Sequence, residues 1–173
     1  MALFESSNLI MRKITPNDWP LFERLHQDED VIKYAFDKPS VEQIRTRFES
    51  RLPDWKWGCE HWLCLVIICK ATQQCIGVTG LCLSEDNSKG VEVGYLLLPE
   101  YHGKGFGTES LLALVQYAKR EFPIKKFSAI VTDGNVASCK VLEKVGFILK
   151  EREPNAYQIG GQLYDDLLYT YEV

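Results

Sequence analysis

Apolar and polar residues recur along this chain in two distinct periods, and each change of period marks an element. Residues 8–14 (Asn-Leu-Ile-Met-Arg-Lys-Ile) form a first strand-like run. Thr15-Pro16-Asn17-Asp18 then predicts a helix, with Thr15 as N-cap, proline at the first helical position and an acid at the third. Phe22 and Leu25 supply its apolar stripe, and a short helical turn is expected over residues 30–35. Ser40 opens a clearer helix. Gln43 completes a capping box, Val41, Ile44, Phe48 and Leu52 recur every three or four positions, and Pro53 marks the stop. Three strand-like runs follow at 62–69, 75–83 and 91–98. Their connectors, 70–74 and 84–90, carry turn residues and predict an antiparallel meander. The period then lengthens: residues 106–122 read as a helix through Leu111, Val115, Ala118 and Phe122. A β-branched strand covers 127–133, and Asn135 caps a helix over 136–145 that Gly146 ends. Two strands close the chain, at about 147–153 and 163–171. This order predicts an α+β domain, with a mixed, mostly antiparallel sheet of about seven strands, about four helices and one central β-α-β crossover.

Composition narrows the class further. A chain of 173 residues fits one domain spanning 1–173, large enough to bury roughly 70% of its unfolded surface. The longest apolar run, 62–69, falls far short of the roughly 20 residues that span a bilayer, so no membrane partner is expected. The first residues lack the basic-then-apolar order of a signal peptide. Cysteines stand at 59, 64, 69, 75, 82 and 139, without a C-x-x-C pair, and the histidines are His26, His61 and His102. No zinc spacing results, no metal is expected, and free thiols fit a reducing cytoplasm. Net charge is −4 with no basic stripe, which argues against a nucleic-acid partner. On the second helix, Arg45, Arg47 and Arg51 alternate with Glu42 and Glu49. That pattern reads first as a solvated face and second as an anion site.

The most informative stretch runs from Val91 to Glu109, where a strand hands over to a helix through Gly103, Gly105 and Gly107. Glycines permit positive φ, and a fresh helix offers unpaired N–H groups at the positive end of its dipole. Together they make a phosphate cradle, to which Lys104 adds a charge and Thr108 a hydroxyl. It is not a Walker A loop, since G-x-x-x-x-G-K-[ST] is absent. A dinucleotide-binding reading would use Asp133 at the end of the next strand, but the third glycine comes one residue early and only one crossover unit is present. A tight turn needing glycines for geometry alone remains the plain alternative.

Two motifs carry a resemblance. Pro99-Glu-Tyr-His-Gly-Lys-Gly-Phe-Gly-Thr-Glu109 resembles the pyrophosphate loop of the GNAT superfamily of acetyl-CoA-dependent N-acetyltransferases, RimJ/RimL-type branch. Asn135-Val-Ala-Ser-Cys-Lys-Val-Leu-Glu-Lys-Val-Gly-Phe147 resembles that branch's N-x-x-S…E-K-x-G-F helix. Residues 8–14 and 74–81 are similar to its opening strand and a later strand turn, so the likeness covers essentially the whole chain. One departure is His102, where the superfamily often has Gln or Arg.

The resemblance implies an acetyl-CoA cosubstrate, no metal, and transfer to a primary amine by direct attack. The acceptor would be a small amine or a protein N-terminus. Backbone amides of Gly103, Lys104, Gly105, Phe106, Gly107 and Thr108, with His102 beside them, would hold the pyrophosphate. The pantetheine arm would lie between strands 91–98 and 127–133, against Leu96, Leu97 and Leu98, and an N–H freed there by a bulge would face the thioester carbonyl. Glu92, sharing a strand face with Gly94, Leu96 and Leu98, would be the base; a solvated strand-end charge is the plain reading. Many relatives place a tyrosine seven residues after the equivalent of Asn135, but this chain has Leu142, leaving Ser138 to hydrogen-bond the sulfur. Asn135 would serve the cosubstrate as well as cap its helix. Tyr34, Phe36, Trp55, Trp57 and Tyr157 are aromatic candidates on the acceptor side, and Asp165 and Asp166 could attract a cationic amine. The loop is also similar to that of spermidine acetyltransferases, from which Leu142 departs. Relatives often dimerise, so a homodimer is one expected assembly. A non-catalytic acyl-CoA-binding module and a nucleotide-dependent oxidoreductase are the alternative functions.

Overall fold

A computed structural model describes residues 1–85 and 89–173, so the middle of the expected 84–90 connector lies outside the described residues. Its strands are β1 (Phe4–Glu5), β2 (Leu9–Lys13), β3 (Leu63–Cys69), β4 (Cys75–Leu83), β5 (Gly90–Leu97), β6 (Lys126–Thr132), β7 (Ile148–Ile159) and β8 (Gln162–Glu172). Its helices are α1 (Trp19–Gln27), α2 (Glu29–Ile32), α3 (Val41–Glu49), α4 (Phe106–Glu121) and α5 (Val136–Val145). The strands form one sheet in the order β1-β2-β3-β4-β5-β6-β8-β7. Among the described residues only β5 and β6 run parallel; every other neighbour is antiparallel. The strand beyond the expected seven is β1, two residues long and too short to show a period.

Local chemistry sets most boundaries. The Asp18 carboxylate accepts from the Thr15 N–H at 2.7 Å and from the Thr15 hydroxyl at 3.1 Å. That closes a 3-10 turn at Pro16–Asp18, and α1 starts only at Trp19, later than the sequence predicts. The capping box of α3 is present as expected, Ser40 and Gln43 bonding reciprocally at 2.9 and 3.1 Å. Ile44 and Phe48 are its buried stripe, whereas Val41 is exposed. Strands β7 and β8 form one long hairpin, joined by Gly160 and Gly161 at φ 58° and 78°. Two left-handed residues between paired Ile159 and Gln162 match the twist of a two-residue hairpin turn.

The sheet is covered on both faces. One face packs Leu65, Ile67, Leu81, Val91 and Phe127 against Leu111, Leu114, Ala118 and Leu142 of α4 and α5. The other packs Cys64, Val66 and Val78 against Phe22, Leu25, Ile44 and Phe48 of α1 and α3. Among the described residues no helix is long and apolar enough to cross a membrane.

One irregularity positions the site. The parallel strands β5 and β6 pair only at Gly90–Lys126, Val91–Phe127 and Glu92–Ser128. Beyond these the two strands diverge, while β5 stays in unbroken register with β4 from Val91–Leu83 to Leu97–Gly77. The sheet therefore opens into a wedge on the C-terminal side of Glu92.

Candidate active site

A cleft of about 1000 Å³ fills this wedge and extends over the α1–α3 face. Its walls bring together Glu92, Leu96, Leu97, His102, Gly103, Gly105, Gly107, Thr108, Asn135 and Ser138. The sequence singled out all of these from segments far apart in the chain.

At the wide end, Gly103 and Gly105 adopt φ 71° and 83°, and a Cβ on either would meet no atom within 4 Å. These glycines are needed for backbone conformation, not for packing. Gly105 is the N-cap of α4 and has no side chain to cap it. The first helical amide bonded back to it is that of Glu109, to the Gly105 carbonyl at 3.0 Å. The N–H groups of Phe106, Gly107 and Thr108 thus lie before the first helical bond, as in any helix start. Gly105, Gly107 and Thr108 line the cleft, so the positive end of this helix borders it. The Lys104 ammonium sits 5.4 Å above the Tyr101 ring, and the Phe106 side chain packs into the core, so these residues offer the cleft only backbone or long-range charge.

Along the wedge, hydrogen-bonding directions alternate. The Leu98 N–H donates to Ile76 on β4 at 2.9 Å, so Leu96 and Leu98 turn their backbone groups to β4. Tyr95 and Leu97 turn theirs to the gap left by β6, whereas the Val93 N–H still belongs to the last paired rung, Glu92–Ser128. Of the expected Leu96–Leu98 trio, only Leu97 faces the wedge with its backbone. Its carbonyl accepts from the His102 imidazole at 2.8 Å. The register with β4 contains no bulge, so the amides are freed by divergence from β6, not by the bulge that the sequence reading invoked.

Glu92 is half-buried on the α1–α3 face, opposite Cys82 of β4. Burial pushes its carboxyl up, and no ion pair offsets this among the described residues. On the opposite face, Ser138 shares a 2.8 Å hydrogen bond with the Tyr95 hydroxyl. Burial pushes the Tyr95 phenol up, although the Ser138 bond opposes it. Asn135 caps α5 by accepting from the Ser138 N–H at 3.2 Å. Leu142 is buried to 1% exposure and lines the same cleft. Sequence reasoning missed Tyr95; its placement one residue after Gly94 carries a weak signal, and only the fold sets it against Ser138.

The acceptor-side expectations divide. Tyr34, Phe36 and Tyr157 line the cleft, and so does Asp166, whose carboxyl is raised first by burial and then by Glu153. Trp55 and Trp57 do not: Trp55 donates to the His61 carbonyl at 2.9 Å, and both rings pack on Phe122 at the far side of the sheet. Asp165 is held by Arg152 at 3.0 Å and by the Asn155 amide. Asp133, needed by a dinucleotide reading, is held by the same Arg152 at 2.7 Å. A lone parallel pair also lacks the repeated crossovers of a doubly wound sheet. The cleft further contains His26, Arg47, Arg51 and Trp62, which the sequence did not assign to it. Among the described residues no cluster of His, Cys, Asp and Glu is arranged to hold a metal, and all six cysteines are free.

Comparison with known proteins places this geometry. The sequence profile described as "Acetyltransferase (GNAT) domain" matches residues 8–148. The chain is 31% identical to the uncharacterized N-acetyltransferase p20 of Bacillus licheniformis, over 98% of this chain and 96% of that protein. It is 23% identical to the putative ribosomal N-acetyltransferase YdaF of Bacillus subtilis, over 95% and 91%. Among solved structures it resembles RimL, the ribosomal L7/L12 alpha-N-protein acetyltransferase, in its apo form, with TM-score 0.84 and 21% identity, covering 100% of this chain and 94% of that one. Spermidine N-acetyltransferase from Vibrio cholerae, in complex with CoA and spermine, matches with TM-score 0.82 and 19% identity over 96% of both chains.

Proposed function

The chain belongs to the GNAT acetyltransferase family, and from that premise we propose that residues 1–173 form one domain that moves the acetyl group of acetyl-CoA to a primary amine. The observation that carries this is the wedge between β5 and β6, ending at the left-handed glycines and open amides before α4. Residues and cosubstrate fit: the wedge has the unpaired strand edge that an extended arm requires, and the glycine turn has the amides that a pyrophosphate requires. His102, Gly103, Lys104, Gly105, Phe106, Gly107 and Thr108 are assigned to the pyrophosphate. Leu97, Leu96 and Asn135 are assigned to the arm; Leu98, bonded to β4, supports the strand from behind. When bound, acetyl-CoA supplies an activated thioester carbonyl. The chain's own residues do the rest.

Glu92 receives the acceptor's proton. A carboxylate raised toward neutrality by burial is a better-matched base than a solvated one, and it loses less on protonation. The amides of Tyr95 and Leu97 face the wedge and are positioned to steady negative charge on a carbonyl oxygen. With the Tyr95 hydroxyl donating to Ser138, the Ser138 proton is free to point at the departing sulfur. A thiol of pKa about 8.5 leaves without strong acid help, so this pair orients more than it protonates.

The test is acetyl-CoA-dependent thiol release over a panel of small amines and peptides, with Glu92→Gln beside the parent, and calorimetric titration with acetyl-CoA and NAD(P)H. Micromolar acetyl-CoA affinity with thiol release is expected. Affinity for NAD(P)H and none for acetyl-CoA overturns the reading. Acetyl-CoA binding without release on any amine reduces the protein to a binding module.

A further inference from the structure

Arginines in this chain divide sharply by their partners. Arg12, Arg24, Arg120 and Arg152 each hold a carboxylate at 2.7 to 2.9 Å. Arg45, Arg47 and Arg51 hold none among the described residues. Arg45 lies exposed, its guanidinium 3.7 Å from the centre of the Trp19 ring. Arg47 and Arg51, four positions apart on and just beyond α3, are partly buried and line the cleft. Their guanidinium groups lie 4.9 Å from the Phe36 ring and 5.4 Å from the Trp62 ring. Aromatic faces fix each cation but satisfy none of its N–H donors.

Two neighbouring cations withdrawn from water without an anion repel each other and cost stability. Burial lowers the Arg51 guanidinium from its usual value, with Arg47 adding to the fall. His26, stacked between Phe22 and Phe36, is held neutral first by burial and then by both arginines. Nothing in the fold requires this arrangement, since the packing stripe of α3 is Ile44 and Phe48.

We propose that the acceptor is an amine that also carries an anionic group, a carboxylate or a phosphate, and that Arg47 and Arg51 hold that group while the amine faces Glu92. This rests on the acetyltransferase reading and names the substrate class of the same site. The layout supports it: Glu92, Arg47 and Arg51 line the same cleft, and no salt bridge joins them among the described residues. Base and cations thus occupy one compartment without pairing, the complement of a molecule with an ammonium at one end and an anion at the other. Planar guanidinium groups suit both carboxylate and phosphate oxygens.

The experiment compares matched amines: glycine with glycinamide, phosphoethanolamine with ethanolamine, and the C-terminally amidated dipeptides Ser-Asp-amide with Ser-Asn-amide, with spermidine as a cationic control. Each is assayed for thiol release and titrated calorimetrically into the CoA-saturated protein. The parent is expected to favour the anionic member of at least one pair about tenfold or more, chiefly in KM. The pair that responds separates carboxylate from phosphate. Arg51→Gln and Arg47→Gln should each bring that ratio toward one, Arg51→Lys should restore part of it, and Arg45→Gln should leave it unchanged. Preference for the neutral or cationic members, or equal loss on both members in Arg51→Gln, overturns the proposal. If no amine releases thiol, the acetyltransferase reading fails on its own, and the calorimetric ratio still decides the anion site. Equal or absent binding of the paired ligands counts against it.

Discussion

At the scale of the residue, the site consists of groups held away from their solution behaviour. Glu92 is half-buried with its carboxyl raised, and the Tyr95 and Ser138 hydroxyls are hydrogen-bonded at 2.8 Å. Glu92→Gln should lower kcat about 10²-fold at neutral pH, since it removes a general base but leaves the amides in place. The loss should shrink as the pH rises toward the amine's own pKa, about 8 to 10, where the free amine needs no base. A pH–rate profile checks both. In the parent, activity should fall as pH drops through the raised Glu92 value, and this limb should vanish in the variant. Tyr95→Phe tests the hydroxyl pair. It should reduce kcat less than Glu92→Gln and leave the KM for acetyl-CoA unchanged, because the phenol only directs Ser138. The sequence made Glu92 legible through its place on an otherwise apolar strand face. It could not reveal Tyr95, whose partner is 43 positions away.

At the scale of the element, caps and turns do the positioning. The start of α4 depends on Gly105 at φ 83°, where a side chain is disfavoured although space is open. Gly105→Ala should cost roughly 1 to 2 kcal/mol and raise the KM for acetyl-CoA more than it changes kcat. Urea unfolding and saturation kinetics would measure the two effects. The turn before α1 depends on Asp18, which is buried and meets Arg12 through two 2.8 Å bonds. Burial alone would raise its carboxyl; the Arg12 fork and the Thr15 N–H hold it below the usual value. Asp18→Asn should cost about 2 to 3 kcal/mol, less than a wholly buried pair because Arg12 is 22% exposed. These caps were readable because they act over three or four residues. The long β7–β8 hairpin was only partly readable: β7 has an almost wholly exposed residue pattern, so hydrophobic alternation could not mark its length.

At the scale of the whole molecule, two helical layers enclose one sheet, and the cleft lies where that sheet parts. His26 couples the α1–α3 layer to pH. It is 3% exposed, its Nδ1 donates to the Phe22 carbonyl at 2.7 Å, and burial lowers its pKa to about 4. The unfolded histidine binds a proton near pH 6.5, so between about 6.5 and 4 the unfolded state holds more protons and stability falls as pH falls. The loss should reach about 3 kcal/mol at the acid end, and His26→Phe should lose correspondingly less between pH 7 and 4.5 in urea titrations. The sequence by itself determined the element order, the phosphate-type turn at Gly103–Gly107, the caps and the family resemblance. All of these are written in periods and spacings of a few residues. Only the tertiary structure decided that β5 and β6 diverge after Glu92, that Trp55 and Trp57 pack on the far side, and that Arg47 and Arg51 enter the cleft instead of solvent. Those outcomes depend on which layer covers which face, and contacts between segments tens of residues apart leave no local period to read.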